Sequence, residues 1–153
     1  MYLLDANHCG RHLAGDPRML QRFTELGSMA IATCAIVAGE LIFMAEKSER
    51  RHANLQLIYG FLQDIAVYPI DQETAVPYGE LKAALLLHFG PKERAKRRQY
   101  TIERLGFTEN DLWIAALARQ HDLIVVSADR DFVRMAEETD LAVEAWWHPD
   151  TSR

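Results

Sequence analysis

Four carboxylates in this 153-residue chain stand where apolar neighbours dominate. Asp5 follows Leu3-Leu4 at the end of the first strand-like segment, and Asp129 lies just beyond the run Leu123–Val126 (LIVV). In open α/β sheets ligands bind outside the carboxyl ends of the strands, so these two acids are placed to share a site. Taken singly, Asp5 also reads as a turn residue and Asp129 as a helix N-cap. Glu40 is the only ionisable residue in IATCAIVAGELIFMA, with Ile36, Val37, Phe43 and Met44 three and four positions away. A buried carboxylate is costly to keep without a cation or hydrogen-bond donors. Asp111 opens DLWIAALA with Ile114 and Ala115 on its face. Its plainer reading is an acid favoured by the dipole at a helix N-terminus.

Together the four imply a compensating charge. Carboxylates about 4 Å apart repel by about 4 kcal/mol per pair at an effective dielectric near 20. No basic residue is embedded in the same apolar contexts, so the expected compensator is a cation bound from solution. An all-oxygen donor set suits Mg²⁺ or Mn²⁺ rather than Zn²⁺. The chemistry that fits is phosphodiester hydrolysis, in which metal lowers the pKa of an attacking water and stabilises the leaving oxygen.

The elements that must position these acids alternate between strand and helix. Tyr2–Leu4 reads as a strand. Asp16–Leu26 reads as a helix with Asp16 as N-cap, Pro17 in its first position and Gly27 as its stop. A strand over Ser28–Ala32, a helix from Thr33 to Lys47, helical periodicity over Asn54–Gln63 and a strand over Ile65–Ile70 follow. Asp71 caps a helix reaching His88, which Gly90-Pro91 ends. Asn110–Gln120 reads as a helix, and Leu123–Val126 as a strand buried in a parallel sheet. A last helix begins near Asp129, and Leu141–Trp146 closes the sheet. This alternation predicts an α/β fold with a parallel sheet. One domain is expected over residues 1–147, with a charged insertion at 91–104 and a short tail at 148–153.

These residues resemble the PIN-domain ribonucleases, in particular the VapC-type toxins of bacterial toxin–antitoxin systems. The matching pieces are MYLLDAN, IATCAIVAGELIF, AEKSERR, IAVYPID, YGELKAALL, GFTENDLWIAALA and IVVSADRDF, in that order across nearly the whole chain. The resemblance implies a parallel sheet with helices on both sides and Mg²⁺- or Mn²⁺-dependent cleavage of RNA by Asp5, Glu40, Asp111 and Asp129. Asp131 competes with Asp129 as fourth acid and otherwise serves as an auxiliary ligand. Asn7 fits the family's usual residue and, with Thr33, is expected to support the ligands. The resemblance also implies a homodimer and an antitoxin partner that restrains cleavage. The chain departs from the family at Ala6, where many members carry Thr or Ser, and at Cys34 and Val37, where hydroxyls are common. Hydrogen bonds to metal ligands orient them, so these departures keep a second reading in view: a catalytically weak PIN-like module that binds RNA or a partner.

The insertion PKERAKRRQYTIER departs further. Arg94, Lys96, Arg97 and Arg98 with Tyr100 suit RNA, where bases contact phosphate and an aromatic face stacks. The same segment also reads as a solvated or antitoxin-facing helix with Glu93 and Arg97 paired at i,i+4. It carries six bases and two acids, so the formal net charge of −5 divides into +4 here and −9 elsewhere. An acidic total therefore does not exclude an RNA substrate.

Other chemistries find no support. The six histidines lack HExxH spacing; His8 and His12 could share a helix face near the site, but surface positions are the favoured expectation. Ser127 has no nucleophile elbow, no P-loop is present, and an aspartate-based phosphotransferase would want Asp where Asn7 stands. Cys9 and Cys34, without a CxxC, read as reduced, partly buried thiols. Trp146-Trp147 could stack on nucleic acid, but packing at a sheet edge or interface is the favoured reading. No apolar run reaches the roughly 18 residues of a membrane span, and the N-terminus does not read as a signal peptide. The expected compartment is the cytoplasm.

Overall fold

The computed structural model describes residues 1–148. The tail expected over 148–153 therefore lies, beyond His148, outside the described residues. In chain order the elements are β1 (Tyr2–Leu4), α1 (Ala6–Leu13), α2 (Pro17–Leu26), β2 (Ile31–Cys34), α3 (Ala35–Glu46), α4 (Arg51–Asp64), β3 (Ala66–Tyr68), α5 (Ala75–Phe89), α6 (Arg94–Arg97), α7 (Glu109–Gln120), β4 (Ile124–Val126), α8 (Arg130–Glu137) and β5 (Val143–Glu144). Short 3₁₀ turns precede β2 and α7.

All strand pairs are parallel, in the order β3-β2-β1-β4-β5, and helices flank the sheet. This is the expected α/β class. The central strands are buried: Leu3, Leu4, Ile31, Ala32, Val125 and Val126 are fully enclosed. That burial explains why they read as continuous apolar runs rather than alternating ones. The chain builds outward from β1 through β2 to β3, then returns to place β4 on the other side of β1. The topological switch therefore falls between β1 and β4. There Leu4 pairs with Val126, and the Asp5 amide donates to the Val126 carbonyl at 3.1 Å, so both strands release their chains at the same edge.

Several helix ends follow the expected local rules. Asp16 caps α2 through the Arg18 amide, with Pro17 at the start and Gly27 (φ 75°) at the end. Asp71 acts one turn ahead of α5, accepting hydrogen bonds from the Thr74 amide and hydroxyl. Two boundaries differ from the sequence reading. Ser28–Ala30 is a 3₁₀ turn, and the strand runs to Cys34 because it takes its register from β1 (Tyr2 with Ile31). An unbroken apolar run carries no periodicity to mark that frontier. Helix α1 went unanticipated because Gly10 and polar Asn7, His8, Arg11 and His12 mask its period. Its signal was Asp5, the N-cap. The 91–104 segment contains one helical turn, α6, and is pinned by buried Ile102. Glu93 pairs with Lys96 at 2.6 Å rather than with Arg97.

Candidate metal centre

The switch point gathers the acids. Asp5, 5% exposed, caps α1: its Oδ1 accepts from the His8 amide at 2.7 Å, and His8 Nδ1 lies 2.9 Å from the same oxygen. On the neighbouring strand β4 the chain passes through Ser127, whose hydroxyl accepts the Asp129 amide at 3.0 Å. Asp129 then caps α8, its Oδ1 accepting the Asp131 amide at 2.9 Å. Asp111 enters from α7, where the Thr108 hydroxyl accepts the Asp111 amide at 3.1 Å and donates to Asp111 Oδ2 at 2.7 Å. Both plain readings of Asp111 and Asp129, as helix-start acids, therefore hold alongside their place in the site.

Asp111, Asp129 and Asp131 each present a carboxylate oxygen, and these three atoms lie within 4.8 Å of one another. Asp5 and Glu40 do not join that tight group. Asp131 is thus as close to the centre as Asp129. Burial pushes the Asp111 carboxyl above its ordinary range, the Thr108 hydrogen bond opposes the rise, and the charges of Asp129, Glu40 and Asp131 add to it. Glu40 on α3 faces the same centre electrostatically and is half-buried, its Oε1 accepting from Asn110 Nδ2 at 2.6 Å. The apolar run around Glu40 reads as buried. Instead Phe43 and Met44 stand at 63% and 44% exposure, because α3 is apolar on its outer face as well as its inner one.

Every one of the five acids has one oxygen held by a donor: Asp5 by His8, Glu40 by Asn110, Asp111 by Thr108, Asp129 by the Asp131 amide, and Asp131 by Arg134 at 2.9 Å. Among the described residues no hydrogen bond reaches the other oxygen of any of them. Arg134 also donates to the Leu105 carbonyl at 3.0 Å and lies over the Phe107 ring at 4.3 Å. It is a base within reach of the acids that their local sequence contexts did not reveal. Asn110, Thr108 and Arg134 were missed, although Thr108-x-x-Asp111 is a legible N-terminal capping pattern.

The expected supporting residues are placed differently. Buried Thr33 donates to the Leu4 carbonyl at 3.1 Å, holding the backbone just before Asp5 rather than a carboxylate. Exposed Asn7 lines a cleft of about 670 Å³ with Arg11, Met44, Asp129 and Trp147. His8 and His12 are not surface residues. His8 is fully enclosed, and His12 stacks on Phe23 with ring centroids 3.7 Å apart. Both belong to α1, so the shared helix face near the site holds and the favoured surface placement does not. Cys9 and Cys34 are free and buried, and burial pushes the Cys9 thiol well above its ordinary range. Trp146 is buried edge-on against Tyr2 at 5.2 Å, as packing.

In the basic segment Arg94, Lys96 and Arg98 are exposed. Arg97 turns inward to the Pro91 and Lys92 carbonyls at 3.0 and 3.2 Å, and the Arg104 guanidinium lies 5.6 Å from the half-buried Tyr100 ring. No helix among the described residues is long and apolar enough to cross a membrane.

A parallel α/β domain with carboxylates converging at its switch point, a site consistent with metal-dependent nuclease chemistry, is the PIN fold. The PIN domain family profile matches residues 2–138, and the chain belongs to that family. Within it, the chain is homologous to VapC-type toxins of toxin–antitoxin systems. It is 32% identical over 148 residues to Ribonuclease VapC2 of Haemophilus influenzae, covering 95% of this chain and 97% of that protein. It is 28% identical over 146 residues to the tRNA(fMet)-specific endonuclease VapC of Shigella flexneri, with the same coverage. The DNA-bound VapBC structure from Salmonella typhimurium superposes with a TM-score of 0.76 at 26% identity, covering 95% of this chain and 98% of that one.

Proposed function

We propose that this protein is a Mg²⁺- or Mn²⁺-dependent endoribonuclease that acts in the cytoplasm as the toxin of a toxin–antitoxin pair. The observation that carries this reading is the convergence of Asp111, Asp129 and Asp131 within 4.8 Å at the carboxyl edge of the sheet. The residues fit a hard divalent cation by donor chemistry. All are carboxylates, each keeps one oxygen clear of hydrogen bonds, and among the described residues only Asp131 has a Lys or Arg partner. Asp5, Glu40, Asp111 and Asp129 would hold the ion, with Asp131 as auxiliary ligand. Bound there, Mg²⁺ or Mn²⁺ would supply a water of lowered pKa and neutralise charge at a phosphodiester.

The chain's own residues do the rest. His8, Thr108, Asn110 and Arg134 fix the carboxylates, while Thr33 fixes the end of β1. The cleft beside Asp129 gives an RNA strand room next to the acids, with the Asn7 amide on its wall. Exposed Arg94, Lys96 and Arg98 form an outlying arm suited to phosphate contacts, with Arg97 turned inward as its anchor and half-buried Tyr100 beside Arg104. Hydrolysis by water needs no covalent enzyme intermediate. The relatives named as ribonucleases, and the VapBC complexes among the solved structures, support an RNA substrate and a cognate antitoxin for this chain, which we take to be a homodimer.

The test is a time course of purified protein on total RNA with Mg²⁺ or Mn²⁺, mapping the cleavage ends. Asp5→Asn and Asp111→Asn should abolish cleavage and leave the fold intact. Undiminished cleavage by Asp5→Asn, or full activity in excess EDTA, would overturn the reading. A wild-type protein that binds RNA yet never cleaves it with Mn²⁺ would replace it with the binding-module alternative.

A further inference from the structure

Helix α1 carries one residue whose chemistry its surroundings do not otherwise use. His8 is fully buried, and its ring meets the first acid of the site. Asp5 Oδ1 receives two bonds from this single residue. The bond from the His8 amide at 2.7 Å is ordinary N-capping, which any residue at position 8 would make. The bond from Nδ1 at 2.9 Å needs the imidazole. The opposite ring nitrogen, Nε2, is buried with no partner among the described residues. An unpaired polar atom in the interior is a cost that an apolar residue of similar size would avoid. Burial alone therefore does not account for histidine here, whereas the bond to Asp5 does.

We propose that His8 is a positioning residue for the metal centre: by donating from Nδ1 to Oδ1 of Asp5, it leaves Oδ2 as the oxygen presented to a divalent cation. The proposal rests on the reading of Asp5 as a metal ligand. A carboxylate acceptor requires the proton on Nδ1, so the partner itself sets the side of the ring that donates. Enclosure keeps the arrangement rigid. Cys9 beside it is fully buried, and the Trp147 ring stands edge-on at 6.3 Å. The other side-chain tethers differ: Thr108 and Asn110 are exposed and Arg134 is half-buried, so water can replace them in part. Water has no such access to His8. A carboxylate freed from its outer hydrogen bond rotates, and loss of such a bond lowers metal affinity by about 10- to 100-fold.

The experiment is Mn²⁺ titration of RNA-free protein by calorimetry, with wild type, His8→Leu, His8→Asn and His8→Gln. The asparagine amide nitrogen falls near the Nδ1 position and can keep the bond, whereas the glutamine amide reaches toward the Nε2 side. His8→Leu and His8→Gln should bind Mn²⁺ about 10- to 100-fold more weakly, and His8→Asn within about 3-fold of wild type. RNA cleavage by His8→Gln should recover at saturating Mn²⁺, because the ligand itself is intact. Equal affinity in the Asn and Gln variants overturns the proposal, whether or not His8→Leu folds. Wild-type protein that binds no Mn²⁺ defeats the metal-centre reading itself, a result distinct from unequal or equal variants of a protein that does bind.

Discussion

The acidic edge of the sheet and the basic segment at 91–104 are built on opposite plans. At the acidic edge each carboxylate hangs from the end of a strand or the first turns of a helix and has one oxygen tied. In the basic segment Arg94, Lys96 and Arg98 stand exposed, and buried Ile102 and the inward-turned Arg97 anchor the segment. The first plan suits ligands that must hold one geometry. The second suits contacts that follow a flexible polyanion, where charge density matters more than position. Arg134 joins the two regions, one nitrogen on Asp131 and the other on the carbonyl of Leu105, the residue that follows the segment.

The largest effect should come from the tied side. Asp111→Asn keeps the Thr108 cap partly intact but removes a charge from the tight group. Its loss of cleavage should exceed the roughly 100-fold that marks loss of an outer hydrogen bond. The check is a single-turnover assay beside a circular dichroism melt. Cleavage within tenfold of wild type would mean that the acids of α7 and α8 are not the working ones.

How much of this was legible follows the same division. The acids could be read because a charge in an apolar run is a visible anomaly and because strand ends are predictable places for a site. The strand order placing β4 beside β1 could be expected only as a class, since pairing depends on the whole chain. The tethers were illegible for another reason. Asn110 reaches Glu40 across 70 positions, and Arg134 reaches Leu105 across 29, and no local period reports such contacts. His8 reads as a surface residue because Asn7, Arg11 and His12 around it are polar, whereas its ring meets Asp5 and, 139 positions along the chain, Trp147. Thr108 is the exception, since Thr108-x-x-Asp111 is a local capping pattern.

Arg134→Ala tests the joint. It strips Asp131 of its partner and leaves the Leu105 carbonyl without its donor, at a cost of about 1–3 kcal/mol. Thermal melting without metal should show that deficit, and Mn²⁺ should reduce it, since the cation replaces the charge the guanidinium supplied. A deficit unchanged by Mn²⁺ would make Arg134 a packing residue over Phe107 and nothing more.

On the loose side, the triple variant Arg94→Ala, Lys96→Ala, Arg98→Ala should leave the melt nearly unchanged and raise the KM for RNA several-fold with kcat preserved. If all three contact phosphate, the slope of log affinity against log salt should fall by about 2, at roughly 0.7 per contact on a single strand. An unchanged slope with weakened antitoxin binding would assign the segment to the antitoxin instead.

The smallest effect separates charge from structure within the same segment. Glu93 pairs with Lys96 at 2.6 Å, but both side chains are about two-thirds exposed or more. Exposed pairs of this kind contribute about 0–1 kcal/mol. Glu93→Gln should therefore shift the melting temperature little. It should also free Lys96 and raise the segment's net charge from +4 to +5. If the segment works as a field rather than a docking surface, RNA affinity at low salt should rise modestly, and the gain should vanish as salt screens it. A loss of affinity at every salt concentration would mean that the Glu93–Lys96 pair holds a shape the RNA recognises, and the contrast between the two regions would be weaker than their exposure suggests.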